Sequence, residues 1–310
     1  MKLASFSVSG IRRVGVVVEG GVVDVERHVP CVPDTLTELI EHWDLFRHIL
    51  VGLPTTSDFA MSEVTLHAPI AKPGKVMAIG LNYFEHAKEL GVAPPTEQQW
   101  FSKPWTTIND PYAAIQLPIV SSCLDYEVEL VMVIGKRGRH FSRGEARRAV
   151  FGYCVGNDVS VRDWQQKTTQ VTIGKSFDTH APIGPWITTA DEFGEPGTAS
   201  LRSYVNGNLR QNSPISDMIF DCFSQVETLS KVMTLEPGDL IFTGTPSGVA
   251  FGNKRYPYLS VGDKVRVEID RIGSMEGVIQ REELNDPEQR RQGARFSSSG
   301  SGIAGIERNI

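Results

Sequence analysis

The residue types with the most chemical potential lie in Asp125-Tyr126-Glu127-Val128-Glu129. They head the apolar run Leu130-Val131-Met132-Val133-Ile134 that Gly135 stops. The stretch 125–134 is rich in β-branched residues and reads as a strand. Side chains alternate along a strand, so Asp125, Glu127, Glu129, Val131 and Val133 share one face. Val128, Leu130, Met132 and Ile134 share the other. Past Glu129 both faces are apolar, the pattern of a strand covered on two sides. Glu127 and Glu129 therefore enter the interior about 7 Å apart. Two carboxylates losing hydration together need a proton or a cation between them. A divalent metal meets that need; the alternative is that this end of the strand emerges into water.

Other chemistry-bearing residues lie elsewhere. In Tyr83-Phe84-Glu85-His86-Ala87-Lys88-Glu89, His86 and Glu89 are spaced i, i+3 and so share a helix face. A carboxylate beside an imidazole orients the ring for general-base work; an incidental pair on a solvated helix is the other reading. Asp158, in Gly156-Asn157-Asp158, stands where the strand 151–155 runs out, placed to face a cleft or to cap a turn. Arg162 and Gln165 set a guanidinium beside an amide, a pair suited to a substrate carboxylate. A structural salt bridge from Arg162 to Asp158 or Asp163 is the ordinary alternative. Lys175, between Gly174 and Ser176, is either a partly buried ammonium near the carboxylates or a surface lysine. Gly174-Lys175-Ser176 is not a phosphate loop, because Thr169 stands where the first glycine would be.

The elements that must hold these groups follow from local signals. Residues 1–70 read as a small α+β unit. It has strands over 3–8, 13–18 and 22–25, a hairpin at Glu19-Gly20-Gly21, and a helix from Leu36 capped by Thr35 with Glu38. Pro69 and Pro73-Gly74 mark a boundary to a larger domain over 71–282. There a strand at 75–80 feeds the His86 helix, which Gly91 and Pro94-Pro95 close. Residues 92–118, aromatic and proline-bearing, have the composition of a lid or of a packed irregular segment. Ser142 with Glu145 caps a helix, Asn206-Gly207 turns a hairpin, and Asp217–Asp221 leads into a helix facing inward through Val226, Leu229 and Met233. The buried strand 240–243 breaks into Gly244-Thr245-Pro246-Ser247-Gly248, small residues whose N–H groups can approach an anionic oxygen. Residues 283–310 have the polar composition of a tail.

Bulk composition narrows the class. The chain has 310 residues, 40% hydrophobic and 22% charged, as in ordinary globular proteins. A net charge of −6 with scattered Lys and Arg argues against nucleic acid as a partner. Four cysteines lie far apart without zinc spacing, which suits free thiols in a reducing compartment. Neither a signal segment nor a membrane span is apparent, so a soluble, cytoplasmic protein with no membrane partner is expected. No internal repeat is visible.

Six runs, in order, resemble the fumarylacetoacetate hydrolase family. They are Gly-Leu-Asn-Tyr-x-x-His-Ala-x-Glu (80–89), Asp-Tyr-Glu-Val-Glu-Leu (125–130), Asn-Asp-Val-Ser-x-Arg-Asp-Trp-Gln (157–165) and Gly-Lys-Ser-Phe-Asp (174–178). Ser-Asp-Met-Ile-Phe (216–220) and Leu-x-Pro-Gly-Asp-x-Ile-x-Thr-Gly-Thr-Pro-x-Gly-Val (235–249) complete the set. The resemblance implies an α+β fold, a mixed β-sandwich roll with a small N-terminal domain, usually in a homodimer. It implies a Mg²⁺ or Mn²⁺ site to which Glu127, Glu129 and Asp158 correspond. His86 and Glu89 correspond to a water-activating dyad, Lys175 to a catalytic lysine, and Arg162, Gln165 and Thr245 to substrate-binding positions. The expected reaction is metal-dependent hydrolysis of a C–C bond in a 2,4-dioxo acid, an acylpyruvate or fumarylpyruvate-like compound of the kind aromatic ring cleavage yields, giving pyruvate and a carboxylic acid. The competing expectation is decarboxylation or isomerisation of oxaloacetate-like or hydroxymuconate-like 2-oxo acids.

Overall fold

The computed structural model describes residues 1–253 and 255–283; the tail expected from 283 lies outside them apart from Glu283. Two sheets carry the fold. The larger has twelve strands, running in order Phe59–Ala60, Gly21–Asp24, Ile11–Val18, Lys2–Val8, Ala181–Thr189, Val150–Asn157, Val128–Ile134, Leu240–Phe242, Val76–Gly80 and Gln99–Ser102. Thr65–His67 pairs with Lys2–Val8, and Ile108–Asn109 with Ala181–Thr189. The second sheet orders Asn208–Pro214, Ser200–Val205, Lys264–Ile269, Gly273–Arg281 and Ile115–Leu117. Most pairs are antiparallel, but Leu240–Phe242 runs parallel to Val76–Gly80, so the architecture is a mixed α+β sandwich. The strands of the first 24 residues join the same large sheet, through Leu3 opposite Ile187. Among the described residues no helix is long and apolar enough to cross a membrane.

Val128–Ile134 sits near the middle of the large sheet and is buried at every position. Val128, Leu130, Met132 and Ile134 pack into the core shared with Leu201, Val267 and Met275 of the second sheet. Val131 and Val133 face the opposite core, with Leu3, Leu36, Leu39 and Phe242. The alternation expected from the pleat is thus realised, with apolar cover on both sides.

The expected strand 125–134 is not continuous. Leu124–Asp125 pairs with Ser160–Val161, whereas Val128–Ile134 pairs with Val150–Asn157. At the break, side chains replace the ladder. Glu127 N–H donates to Asn157 Oδ1 at 3.0 Å, and Val128 N–H to Gln211 Oε1 at 3.0 Å. The expectation fails because these partners are remote in sequence. A second difference is Gln99–Ser102, inside the segment without a clear period. It pairs with Val76–Gly80 as an edge strand. The strand Gly273–Arg281 was also not expected, although its residues alternate inward and outward.

Local signals hold elsewhere. Helix Phe84–Glu89 ends at Gly91 with φ +72°, where Gly91 N–H bonds Lys88 O and Val92 N–H bonds Ala87 O. These two bonds make a Schellman stop. Ser142 and Glu145 cap Arg143–Ala149 reciprocally, Thr35 caps Leu36–Glu41, and Asp221 caps Cys222–Val232. Buried Asn82 joins three separate segments. Its Nδ2 donates to Phe220 O at 3.0 Å and to Thr243 O at 2.7 Å, while its Oδ1 accepts from Phe220 N–H at 2.8 Å. Asn82→Ala removes this partner from Phe220 N–H and Thr243 O, while Phe220 O keeps Gln225 Nε2, and is expected to lose about 2 kcal/mol of stability. Thermal and urea unfolding measure this, and an unchanged midpoint would show that the three bonds contribute nothing net.

Candidate active site

A cleft of about 620 Å³ opens at the ends of the central strands. His86, Glu127, Glu129, Arg162, Gln165, Lys175 and Thr245 all line it. Asp158 is fully buried beneath the cleft, and Glu89 stands behind His86. The residues singled out in the sequence therefore meet at one place, although they come from segments up to 159 positions apart.

Pairing between neighbouring strands brings the carboxylates together. Val128 lies opposite Asn157, and Asp158 N–H donates to Glu127 O at 2.9 Å, which puts Asp158 beside Glu127. Glu129 follows two residues along the same face. Oxygens of Glu127, Glu129 and Asp158 lie within 4.8 Å of one another, all three residues being buried. Side-chain cations answer two of the three. Lys175 Nζ is 2.5 Å from Glu127 Oε2 and 2.8 Å from Asp158 Oδ2. Lys103 Nζ is 2.6 Å from Asp158 Oδ1. Arg162 Nη2 lies 2.7 Å from Glu127 Oε1, off the N–H direction, so this contact is an ion pair rather than a straight hydrogen bond. Among the described residues, Glu129 accepts only from the backbone, Gly244 N–H at 2.7 Å.

The charged forms respond accordingly. Burial opposes ionisation of Glu127, but Lys175, Arg162 and His86 outweigh it and hold this carboxyl well below the usual range. Burial pushes Glu129 well above that range, and the negative Asp158 and Glu127 push it further. Burial pulls Lys175 down, but Asp158 and Glu127 more than reverse this. For Lys103, burial outweighs Asp158 and the ammonium is held below its ordinary value. With all four buried acids (Asp125, Glu127, Glu129, Asp158) ionised against the three buried cations (Lys103, Arg162, Lys175), one negative charge would be left over, with Glu129 the member that calls for a proton or a further cation. Three clustered oxygen donors with one unanswered charge fit a hard divalent cation such as Mg²⁺ or Mn²⁺.

Beside this floor, His86 Nδ1 lies 3.2 Å from Glu89 Oε2. With Glu89 ionised, Nδ1 donates and Nε2 carries the lone pair. Gly248 N–H holds Glu89 at 2.9 and 3.1 Å from its two oxygens. Gly252 packs so closely on Glu89 that a Cβ there would meet its carboxyl carbon at 2.6 Å. Arg162 Nε donates to Asp125 Oδ2 at 2.9 Å and Nη1 to Gln165 Oε1 at 2.9 Å. Its partners are thus Asp125 and Glu127, not the Asp158 or Asp163 weighed from the sequence. Thr245 Oγ1 donates to Val128 O at 2.9 Å and accepts from Gln211 Nε2 at 2.7 Å.

Two contributors, Lys103 and Gln211, escaped sequence reasoning, and the part played by a third, Asp125, was not foreseen. Lys103 follows Trp100-Phe101-Ser102, and a lone lysine in an aromatic, proline-flanked stretch was its only signal. Gln211 stitches Val128, Thr245 and Pro246 together from the second sheet. Asp125 is held by Ala250 and Phe251 N–H at 3.0 and 2.9 Å and in turn aims Arg162.

Residues 75–280 match the family described as fumarylacetoacetate (FAA) hydrolase C-terminal. Oxaloacetate tautomerase FAHD2B, mitochondrial, from Bos taurus is 39% identical over 261 residues, 82% of this chain and 82% of that protein. The structure of maleylpyruvate hydrolase from Sphingobium sp. SYK-6 in complex with manganese(II) ion and pyruvate is 33% identical. It aligns with a TM-score of 0.77 over 91% of this chain and 100% of that one. That of 5-carboxymethyl-2-hydroxymuconate delta-isomerase from Mycobacterium smegmatis gives 0.73 at 32% identity, over 92% and 100%. The matched span contains every residue of the cleft floor, His86 on its wall and Glu89 behind it, and this chain belongs to the fumarylacetoacetate hydrolase family of enzymes.

Proposed function

We propose that this chain hydrolyses a C–C bond in a 2,4-dioxo acid of the acylpyruvate type, releasing pyruvate and a carboxylic acid, with Mg²⁺ or Mn²⁺ as cofactor. The observation that carries this reading is a histidine fixed by a carboxylate, His86 by Glu89, facing the cleft whose floor is the Glu127–Glu129–Asp158 triad. Held by those three carboxylates, the divalent ion would supply Lewis acidity, drawing electron density from the two oxygens of a 2-oxo acid.

The protein groups have separate tasks. His86 Nε2 takes a proton from water, and Glu89 keeps the ring in the required tautomer. The water oxygen bonds to the carbonyl carbon distal to the 2-oxo acid group, the C–C bond breaks, and its electron pair leaves as the pyruvate enolate. His86 returns the proton to the enolate carbon, so one water is consumed and no proton is left over. Lys175 sets a positive charge beside the floor, where negative charge develops. Arg162, aimed by Asp125 and Gln165, adds a second.

A second reading uses the same groups without water: proton transfer alone, interconverting keto and enol forms of an oxaloacetate-like acid. The name of the 39% identical Bos taurus relative favours it. The size of the cleft favours the first, since about 620 Å³ walled by Leu90, Trp100 and Phe101 holds more than a four-carbon acid. Both readings place a small 2-oxo acid in the cleft.

One panel separates them. Pyruvate release from acylpyruvates, CO₂ release from oxaloacetate and its enol–keto exchange in the ultraviolet are followed with Mg²⁺, with Mn²⁺ and with EDTA. Metal-dependent pyruvate release is expected to dominate; enol–keto exchange or CO₂ release without pyruvate from any acylpyruvate would give the assignment to the second chemistry. Glu127→Ala is expected to abolish turnover, and full activity in EDTA-treated E127A would sink the metal assignment. His86→Ala should lower kcat by about 10²–10⁴-fold. Glu89→Gln should lower kcat more than it raises KM; a pure KM effect would remove the pair from the chemistry.

A further inference from the structure

Lys103 follows the edge strand Gln99–Ser102, and its N–H donates to Val76 O at 2.9 Å, tying it to the neighbouring strand. Its side chain has no exposed surface and takes no part in the cleft wall. Nζ donates to Asp158 Oδ1 at 2.6 Å and to the main-chain carbonyl of Lys175 at 2.5 Å. Lysines this deeply buried are rare and persist only where the charge is paired. Asp158 Oδ2 meets the ammonium of Lys175 on its other side at 2.8 Å. One buried ammonium thus grips, from below the floor, both a floor carboxylate and the backbone that carries the neighbouring ammonium.

A carboxylate turns readily about its last bond, because that torsion is broad and two-fold. With Oδ1 tethered to Lys103, Asp158 cannot turn without breaking a charge-assisted bond. Lys175 lies at the end of the short 3₁₀ turn Val171–Lys175, whose geometry alone holds it weakly. The Lys103 contact to its carbonyl supplies the missing restraint.

Resting on the reading that Glu127, Glu129 and Asp158 hold a divalent cation, we propose that Lys103 is a positioning residue. It fixes the Asp158 carboxylate and the Lys175 backbone together, so metal affinity and turnover both depend on a side chain that lies outside the cleft. Partners standing behind metal ligands typically change metal affinity by about 10–100-fold when removed.

The test is Mn²⁺ binding to the purified full chain, read from the electron paramagnetic resonance of free Mn²⁺, in wild type, Lys103→Met and Lys103→Gln. Circular dichroism follows folding, and acylpyruvate turnover is measured alongside. K103M keeps side-chain length without charge and is expected to raise the Mn²⁺ Kd about 10–100-fold. K103Q keeps a donor and should lose less affinity; it also serves if K103M does not fold. In both, kcat should fall even at saturating Mn²⁺, since Lys175 has lost its anchor. Wild-type Kd in either folded variant overturns the proposal, and so does failure of both to fold, since a purely structural role then suffices. Failure of wild type to bind Mn²⁺ is a different result, because it removes the metal reading on which the proposal rests.

Discussion

The rest of this structure depends on keeping several carboxylates of one sign out of water in a single small volume. Isolated, each would take up a proton or drive the chain open. The protein answers with three cations drawn from separate segments: Lys103 just after the edge strand, Arg162 from the helical turn after Ser160–Val161, and Lys175 from a 3₁₀ turn. Each bridges two partners. Arg162 joins Asp125 to Glu127, Lys175 joins Glu127 to Asp158, and Lys103 joins Asp158 to the Lys175 main chain. The result is a chain of alternating charge under the cleft. Its elements cannot shift independently, because removing one member of a buried ion pair costs far more than a surface contact.

Backbone groups complete the compensation. After Leu240–Phe242 the chain leaves the sheet, and its N–H groups turn toward acids within a few residues. Gly244 serves Glu129, Gly248 serves Glu89, and Ala250 with Phe251 serve Asp125. Gly244 and Gly248 have φ of +94° and +110°, conformations that side-chain-bearing residues rarely adopt. A Cβ on Gly248 would also meet Arg210 O at 2.2 Å. The glycines in this loop are thus part of the electrostatics, since they let the backbone come close enough to donate.

What the sequence made legible was what neighbouring residues decide. Gly91 ends its helix, Ser142 and Glu145 begin theirs, and Asn206-Gly207 turns its hairpin because the chemistry lies within four residues. Glu127 and Glu129 could be placed side by side from the pleat alone. Asp158 joins them only through pairing across strands, and the six-run resemblance, not spacing, put it there. Lys103 stayed hidden because a lysine's burial is set by what folds over it. The break at Tyr126–Glu127 was hidden for a similar reason: Asn157 and Gln211, which replace the ladder bonds, lie 30 and 83 residues away.

The cleft has a floor and walls of different origin. The floor is made of buried carboxylates at the ends of central strands and the cations that the flanking turns bring to them. The walls come from Leu81, Leu90, Gln99–Phe101 and Thr169–Thr172, whose side chains form none of the ion pairs, although Phe101 lies 5.3 Å from the Lys175 ammonium and Val171–Thr172 open the 3₁₀ turn that carries it. Substitution at Leu81, Leu90 or Thr169, which touch none of the charged groups, therefore changes what fits without disturbing how charge is balanced below. That separation lets the shape of the accommodated molecule be tuned at the rim of the cleft while the charged groups beneath stay as they are.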